Sequence, residues 1–141
     1  MIEVSKMIDN EQNQIYATLI LRGKELNPQE VTDSLGLSPS MSFKIGDWRN
    51  ETDRWKHNLW TLSSQDKIQS SNLANHLEWL LDQLEPVKPR LLDILNTNNI
   101  KAGISCFWIL PTDHENLGLT AELLKKITDF GLYLEIDIYG P

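Results

Sequence analysis

Two carboxylate residues near the end of the chain have a spacing that could support acid–base chemistry. Glu135 and Asp137 lie two residues apart among alternating apolar residues, so a strand would place both side chains on one face. A pair of carboxylates with different pKa values can act as general acid and general base. Every half-exposed strand shows the same alternation, however, and we favour this second interpretation.

The residues that could supply a nucleophile or bind a metal are few. Cys106 is the only cysteine and lies in an apolar run, so we expect it to pack as a small hydrophobe. Asp113, His114 and Glu115 are consecutive, and consecutive side chains rarely converge on one ion, which favours a solvated turn. His76 lies beside the leucine stripe of a predicted helix, where a hydrogen bond to a neighbouring turn is more plausible than catalysis. Motifs for zinc, phosphate or dinucleotide binding are absent, and we predict no catalytic residue, no metal site and no cofactor.

The longest part of the chain without a periodic pattern, residues 37–58, is predicted to be one connection. Trp48, Trp55 and Trp60 lie in it or beside it. Tryptophan is enriched at protein interfaces, but its ring can equally fix a loop against a small core. We favour the second role for Trp60, which lies in a predicted strand, and leave both roles open for Trp48. Because binding sites concentrate on such loops, residues 44–55 are predicted to form the functional surface.

Hydrophobic periodicity predicts strands and helices in the order β-α-β-αα-β-α-β, and it predicts nearly full burial of Leu19, Leu77, Leu81, Trp108, Ile127 and Ile136. The strands are expected at 14–23, 59–64, 101–110 and 132–138, and the helices at 28–35, 72–85, 86–95 and 120–130. Asn27 followed by Pro28 indicates the start of the first helix, and Gly36 its end. The predicted fold is α+β: two βαβ halves flank a helical pair, and a four-stranded sheet carries helices mainly on one face, as in a ferredoxin-like sandwich variant.

The sheet face opposite the helices is the second candidate surface. The first and last strands would present Tyr16, Thr18, Arg22, Tyr133, Glu135, Asp137 and Tyr139 there. Aromatic residues on a sheet face stack bases in RNA-recognition modules, but carboxylates would repel the phosphate backbone. This face therefore suits a protein partner, a basic one included, or a small polar ligand.

Composition limits the class of protein and of partner. The 141 residues carry a net charge of -7, which disfavours nucleic acid and anionic membranes as partners. One globular domain is expected at 14–141, after a polar lead-in at 1–13. A chain with one cysteine, no export signal and no long apolar run is expected in the cytoplasm.

The order of several short motifs carries a family resemblance. These motifs are the strand Tyr16 to Leu21, Leu35-Gly36-Leu37 with Pro39, Lys44 with Gly46-Asp47, Trp60 to Ser64, the leucine-rich helix Leu73 to Leu84, and Phe130-Gly131 with Asp137-Ile138-Tyr139. In this order they resemble the bacterial domain-of-unknown-function family 4279 (DUF4279). The resemblance implies a small bacterial cytoplasmic protein and implies no reaction or substrate.

Two functional hypotheses follow. The first is a non-catalytic protein-binding module of the immunity or regulatory type. The second is a small-ligand-binding protein or small enzyme with a pocket in the 44–64 loop and strand, where Lys44, Asp47 and Arg49 would converge with Ser63 or Ser64. The predicted binding residues are Lys44, Asp47, Trp48, Arg49, Trp55, Ser63, Tyr16, Arg22, Glu135 and Asp137.

Overall fold

The computed structural model describes residues 14–97 and 99–141, so the polar lead-in predicted at 1–13 lies outside the described residues. The strands are β1 (Ile15–Gly23), β2 (Met41–Phe43), β3 (Asn58–Ser63), β4 (Lys101–Ile109) and β5 (Tyr133–Tyr139). The helices are α1 (Pro28–Leu35), α2 (Leu73–Leu84), α3 (Lys88–Leu95) and α4 (Ala121–Asp129), and a 3-10 turn (Glu85–Val87) joins α2 to α3. The α+β class is confirmed.

The sheet is mixed and five-stranded, in the order β2-β3-β1-β4-β5. The prediction of four strands is wrong, because β2 lies inside the segment predicted as one connection and pairs with β3. A strand of three residues is too short to show a period in the sequence. Its pairing partner lies well along the chain, at Leu59 to Thr61, so local pattern could not reveal it.

The two predicted βαβ halves are not equivalent. β4 and β5 are parallel neighbours joined through α4, which is a βαβ unit. β1 and β3 are antiparallel neighbours, so the connection through α1 and β2 does not form a second one. The ferredoxin-like arrangement is therefore not confirmed. Hydrophobic periodicity indicates which face of a strand is buried, but it does not indicate the direction of neighbouring strands.

Helix ends follow the capping residues in the sequence. The side chain of Asn27 accepts hydrogen bonds from the backbone N–H groups of Gln29 and Glu30, and Gly36 ends α1 in the left-handed region with φ of 66°. Asn72 and Thr120 cap α2 and α4 in the same way. These caps fix where each helix begins relative to the sheet.

The core lies between one face of the sheet and the helices. In β1 the residues from Ile15 to Leu21 alternate between buried and partly exposed, as the sequence predicts. Leu19, Leu77, Leu81, Trp108 and Ile127 are buried as expected. Ile136 is only partly buried, contrary to prediction, because β5 is an edge strand and lacks a neighbour on one side. Among the residues described, no helix has the length and apolar character needed to cross a membrane.

Candidate functional site

The sheet face that the helices leave uncovered, here called the open face, is one of two candidate surfaces. Its members are Tyr16, Thr18, Ile20, Arg22, Met41, Phe43, Leu59, Thr61, Ser63, Lys101, Gly103, Ser105, Phe107, Ile109, Tyr133, Glu135, Asp137 and Tyr139. Strand register places Thr18, Ser105 and Glu135 in one row and Tyr16, Phe107 and Asp137 in the next. The predicted placement of Tyr16 and Arg22 on one face with Glu135 and Asp137 is confirmed.

Three aromatic rings cluster at one end of the open face. The rings of Tyr16 and Phe107 stack with centroids 5.1 Å apart, and Tyr139 lies 5.3 Å from Phe107. The Tyr139 hydroxyl donates a hydrogen bond to the Asp137 carboxylate at 3.1 Å, and this bond raises the pKa of Tyr139. Burial raises the pKa of Tyr16. Both phenols therefore stay protonated at neutral pH; Tyr139 donates its one proton to Asp137, and the Tyr16 hydroxyl is able to donate a hydrogen bond.

Two grooves cross the open face. The larger, of about 630 Å³, runs from Asp137 over a floor that includes Thr18 and Ser63, whose hydroxyls are hydrogen-bonded at 2.9 Å. The smaller, of about 360 Å³, lies where Arg22 and Lys101 approach Tyr133 and Glu135. The face is thus acidic along β5 and basic at the end of β1 and the start of β4.

The second candidate surface is residues 44–57, here called the arm. The arm folds back on itself: the N–H of Gly46 donates to the Trp55 carbonyl at 3.0 Å, and the N–H of Trp55 donates to the Asp47 carbonyl at 2.8 Å. Near its tip the N–H of Arg49 donates to the Asp53 carbonyl at 2.9 Å. These hydrogen bonds give the arm a defined shape although its sequence lacks periodicity.

Trp55 fixes the arm to the sheet. Its ring stacks on Phe43 of β2 with centroids 4.6 Å apart, and the Arg49 guanidinium lies 5.0 Å from the Trp55 ring centroid. The indole N–H is buried without a hydrogen-bond partner among the described residues. An indole that packs between Phe43 and Arg49 presents less of its surface to a partner. We therefore assign Trp55 and Arg49 to stabilising the arm.

Trp48 is presented to solvent. Its residue surface is 58% exposed, the largest exposure among the tryptophans. The Arg54 guanidinium lies 3.8 Å from the Trp48 ring centroid and donates a hydrogen bond to the Gly46 carbonyl at 2.9 Å. The cation therefore supports one side of the ring while the rest of the ring is available for contact.

The residues of the predicted 44–64 pocket do not come together. The Asp47 carboxylate accepts the backbone N–H of Lys44 at 2.8 Å, and both line a cavity of about 250 Å³ beside α1. Ser63 lies on the open face, and Ser64 is fully buried. The structure thus separates the members of this set into a turn, a groove and the core.

The sequence analysis predicted that His76 forms a hydrogen bond to a neighbouring turn, which is confirmed, but it missed the buried pair that His76 forms with Ser64. Ser64 Oγ lies 2.7 Å from His76 Nδ1, and His76 Nε2 lies 2.8 Å from the Ser70 carbonyl. A carbonyl only accepts, so Nε2 carries the proton and Nδ1 accepts from the Ser64 hydroxyl. Ser64 Oγ also accepts the N–H of Ala17 at 2.9 Å. The pair is enclosed, and its polar atoms form hydrogen bonds within the protein. These hydrogen bonds link β1, the end of β3 and α2. No local motif signals it, since twelve residues separate its members.

The stability of the fold is predicted to fall when the solution is acidified through the histidine range. Burial lowers the pKa of His76 from its ordinary value of 6.5, while its hydrogen bond to Ser70 opposes that shift. The unfolded chain then binds a proton that the folded chain does not, so stability present above the ordinary value is lost below it. Denaturant unfolding at about pH 7.5 and about pH 5.5 measures the loss. The loss of stability on acidification should be smaller in His76→Asn and unchanged in His114→Asn, whose histidine is exposed and serves as the control. An equal loss in all three proteins would contradict the assignment to His76.

Cys106 is predicted to be unreactive in the folded protein. Burial raises the pKa of its thiol to about 12, so thiolate is scarce at neutral pH. Alkylation by iodoacetamide at about pH 8, followed by mass spectrometry, should be slow in the native protein and fast after unfolding. Rapid native alkylation would show that the thiol is accessible.

The consecutive residues Asp113, His114 and Glu115 form an exposed turn. Thr112 Oγ1 lies 2.7 Å from the His114 carbonyl and 2.9 Å from the Glu115 carboxylate. Within 14–97 and 99–141, no three histidine, cysteine or acidic side chains are grouped as metal ligands.

The fold and the two surfaces define an α+β domain whose mixed sheet is covered by helices on one face and open on the other. A family model described as "Domain of unknown function (DUF4279)" matches residues 13–141, and the chain belongs to that family. No curated protein and no solved structure matches the chain.

Proposed function

We propose that this domain is a non-catalytic protein-binding module and that Trp48 is the anchor of its binding surface. The supporting observation is the exposure of Trp48 at 58% on an arm that hydrogen bonds and Trp55 hold in shape. An exposed indole on a fixed support loses little conformational freedom when a partner covers it. Tryptophan residues in this situation are frequent hot spots of protein interfaces.

The charges around the two surfaces favour a protein over nucleic acid. The arm mixes signs closely: Lys44, Asp47, Arg49, Glu51, Asp53, Arg54 and Lys56. The open face carries Glu135 and Asp137, which would repel a phosphate backbone. Mixed charges around an aromatic anchor give register and specificity to a protein interface. An immunity-type or regulatory role in the bacterial cytoplasm would use such a surface.

A small polar ligand in the larger groove is the second candidate function. The hydroxyl groups of Thr18 and Ser63 and the Asp137 carboxylate line one cavity of about 630 Å³. A cavity of this size is in the range of small-molecule sites. The first function is preferred because this groove is open along the sheet and because the ligand hypothesis leaves Trp48 without a role.

Site-specific cross-linking tests the protein-binding proposal. A photoreactive amino acid replaces Ile45, which is 49% exposed on the arm and leaves Trp48 in place, in one protein, and Leu124, which is 42% exposed on α4, in the other. Both proteins are irradiated in cells of the native host. We expect a discrete cross-linked protein from position 45 and none of that mass from position 124. The same products from both positions, or none from position 45, would contradict the proposal.

A further inference from the structure

The outer edge of β5 has no strand paired to it among the described residues. β5 is the last strand of the sheet and pairs in parallel with β4 alone. The N–H of Leu110 donates to the Tyr139 carbonyl at 2.9 Å, so the backbone groups of Tyr139 point toward β4. Backbone direction alternates along a strand. The N–H and carbonyl groups of Leu134, Ile136 and Ile138 therefore point outward.

This edge is long and carries charge only as acidic side chains. Natural edge strands are blocked by charged side chains, above all lysine, by proline, by a bulge or by short length; β5 has seven residues, contains neither lysine nor proline, and carries Glu135 and Asp137. Tyr133, Ile138 and Tyr139 are 66%, 52% and 48% exposed. β2, at the opposite edge, has three residues. The β5 edge is thus the better template for an added strand.

Charge argues against a second copy of the chain as the added strand. Residues 133–139 read Tyr-Leu-Glu-Ile-Asp-Ile-Tyr, which is nearly the same in both directions. Antiparallel self-pairing centred on Ile136 would place Glu135 opposite Asp137 of the second copy, twice. These are non-hydrogen-bonded positions, where the Cα atoms approach to about 4.5 Å and like charges destabilise the pair. A shift by two residues still places one carboxylate opposite its own copy.

The carboxylates instead select a partner of opposite charge. The ion pairs within 14–97 and 99–141 join Lys125 to Asp129 and Lys126 to Glu122, so neither Glu135 nor Asp137 forms a salt bridge there, although Arg22 and Lys101 line the same groove as Glu135. A strand laid along β5 would place two of its side chains directly opposite them. Lysine or arginine at these two positions would add a favourable cross-strand pair at each.

We propose that the β5 edge binds, by strand addition, an extended segment of a partner protein that carries basic residues at two positions two residues apart, with one apolar residue between them and one on either side. This inference rests on the proposed function, because it names the chemistry of the partner. Main-chain hydrogen bonds to Leu134, Ile136 and Ile138 supply affinity. Glu135 and Asp137 supply specificity. The apolar residues of the partner segment lie on the helix-covered side of the sheet, beside Ile136.

Two synthetic peptides as long as β5 test the inference. One alternates valine with two lysines two residues apart, and the other has glutamate in place of both lysines. Amide hydrogen exchange of the full chain, followed by NMR, should slow at Leu134, Ile136 and Ile138 with the lysine peptide. Titration should show about tenfold tighter binding of the lysine peptide, because two cross-strand charge pairs change sign.

The double variant Glu135→Gln/Asp137→Asn provides the control. It keeps the shape and the backbone of β5, so both peptides should bind it with nearly equal affinity. Equal affinity of the two peptides for the unaltered protein, or protection at other amides only, would overturn the inference. A dimer of the unaltered protein that protects the same amides, detected by sedimentation, would also overturn it. None of these outcomes affects the cross-link from position 45, so failure of this inference and failure of the proposed function are distinguishable.

Discussion

Replacing Leu81 with alanine is expected to lower the free energy of unfolding by about 2 to 5 kcal/mol. Leu81 lies in α2 with no exposed surface, packed in the core between that helix and the sheet. Removal of its outer carbon atoms forfeits transfer free energy and leaves a cavity that a fixed sheet cannot fill. Urea denaturation of the unaltered and variant proteins measures the difference.

Leu124→Ala is the matched control for this experiment. Leu124 is also a helical leucine, in α4, but it is 42% exposed. Its replacement should change the free energy of unfolding by no more than about 0.5 kcal/mol. A loss for Leu81→Ala as small as that for Leu124→Ala would mean that α2 does not pack on the sheet as described.

Burial of individual strand residues could be predicted where a period is repeated several times. β1 carries alternating apolar residues from Ile15 to Leu21, so its buried and exposed faces could be predicted without knowledge of its neighbouring strands. The same argument placed Tyr16 and Arg22 on the face that carries Glu135 and Asp137. Side-chain alternation is a property of the strand alone, which is why the sequence sufficed here.

Pairing between strands could not be predicted in the same way. β2 has three residues, and its position depends on hydrogen bonds to β3 across the arm. The antiparallel pairing of β1 with β3 and the edge position of β5 are likewise properties of distant segments. The partial exposure of Ile136 follows directly from that edge position. The strand was therefore predicted correctly, but the predicted burial of Ile136 was wrong.

The candidate site also combines features that the local sequence indicates with features that depend on nonlocal contacts. Exposure of the arm could be suspected from its composition, but the separate roles of Trp48 and Trp55 depend on contacts that composition does not contain. Phe43 reaches Trp55 only because β2 exists, and Arg54 reaches Trp48 only because the arm folds back. The buried contact of Ser64 with His76 also needs β3 and α2 in place. Residue types gave the candidates, and nonlocal packing assigned their roles.

The contrast between the two arm tryptophans gives the sharpest test of the binding surface. Trp48→Ala is expected to leave the melting temperature within about 1 to 2 °C of the unaltered protein, since the ring contacts mainly solvent and Arg54. Trp55→Ala removes the stack on Phe43 and should lower the melting temperature by roughly 4 °C or more.

Binding should show a different dependence on these residues. With the partner captured from position 45, Trp48→Ala should weaken the complex by roughly 2 kcal/mol or more, which is about thirtyfold in Kd. Isothermal titration calorimetry measures this loss, and thermal unfolding of the same samples shows whether the fold is intact. Unchanged affinity in Trp48→Ala would contradict its role as anchor. A fall in melting temperature as large as that of Trp55→Ala would instead show that Trp48 supports the arm, because stability and binding would then be lost together.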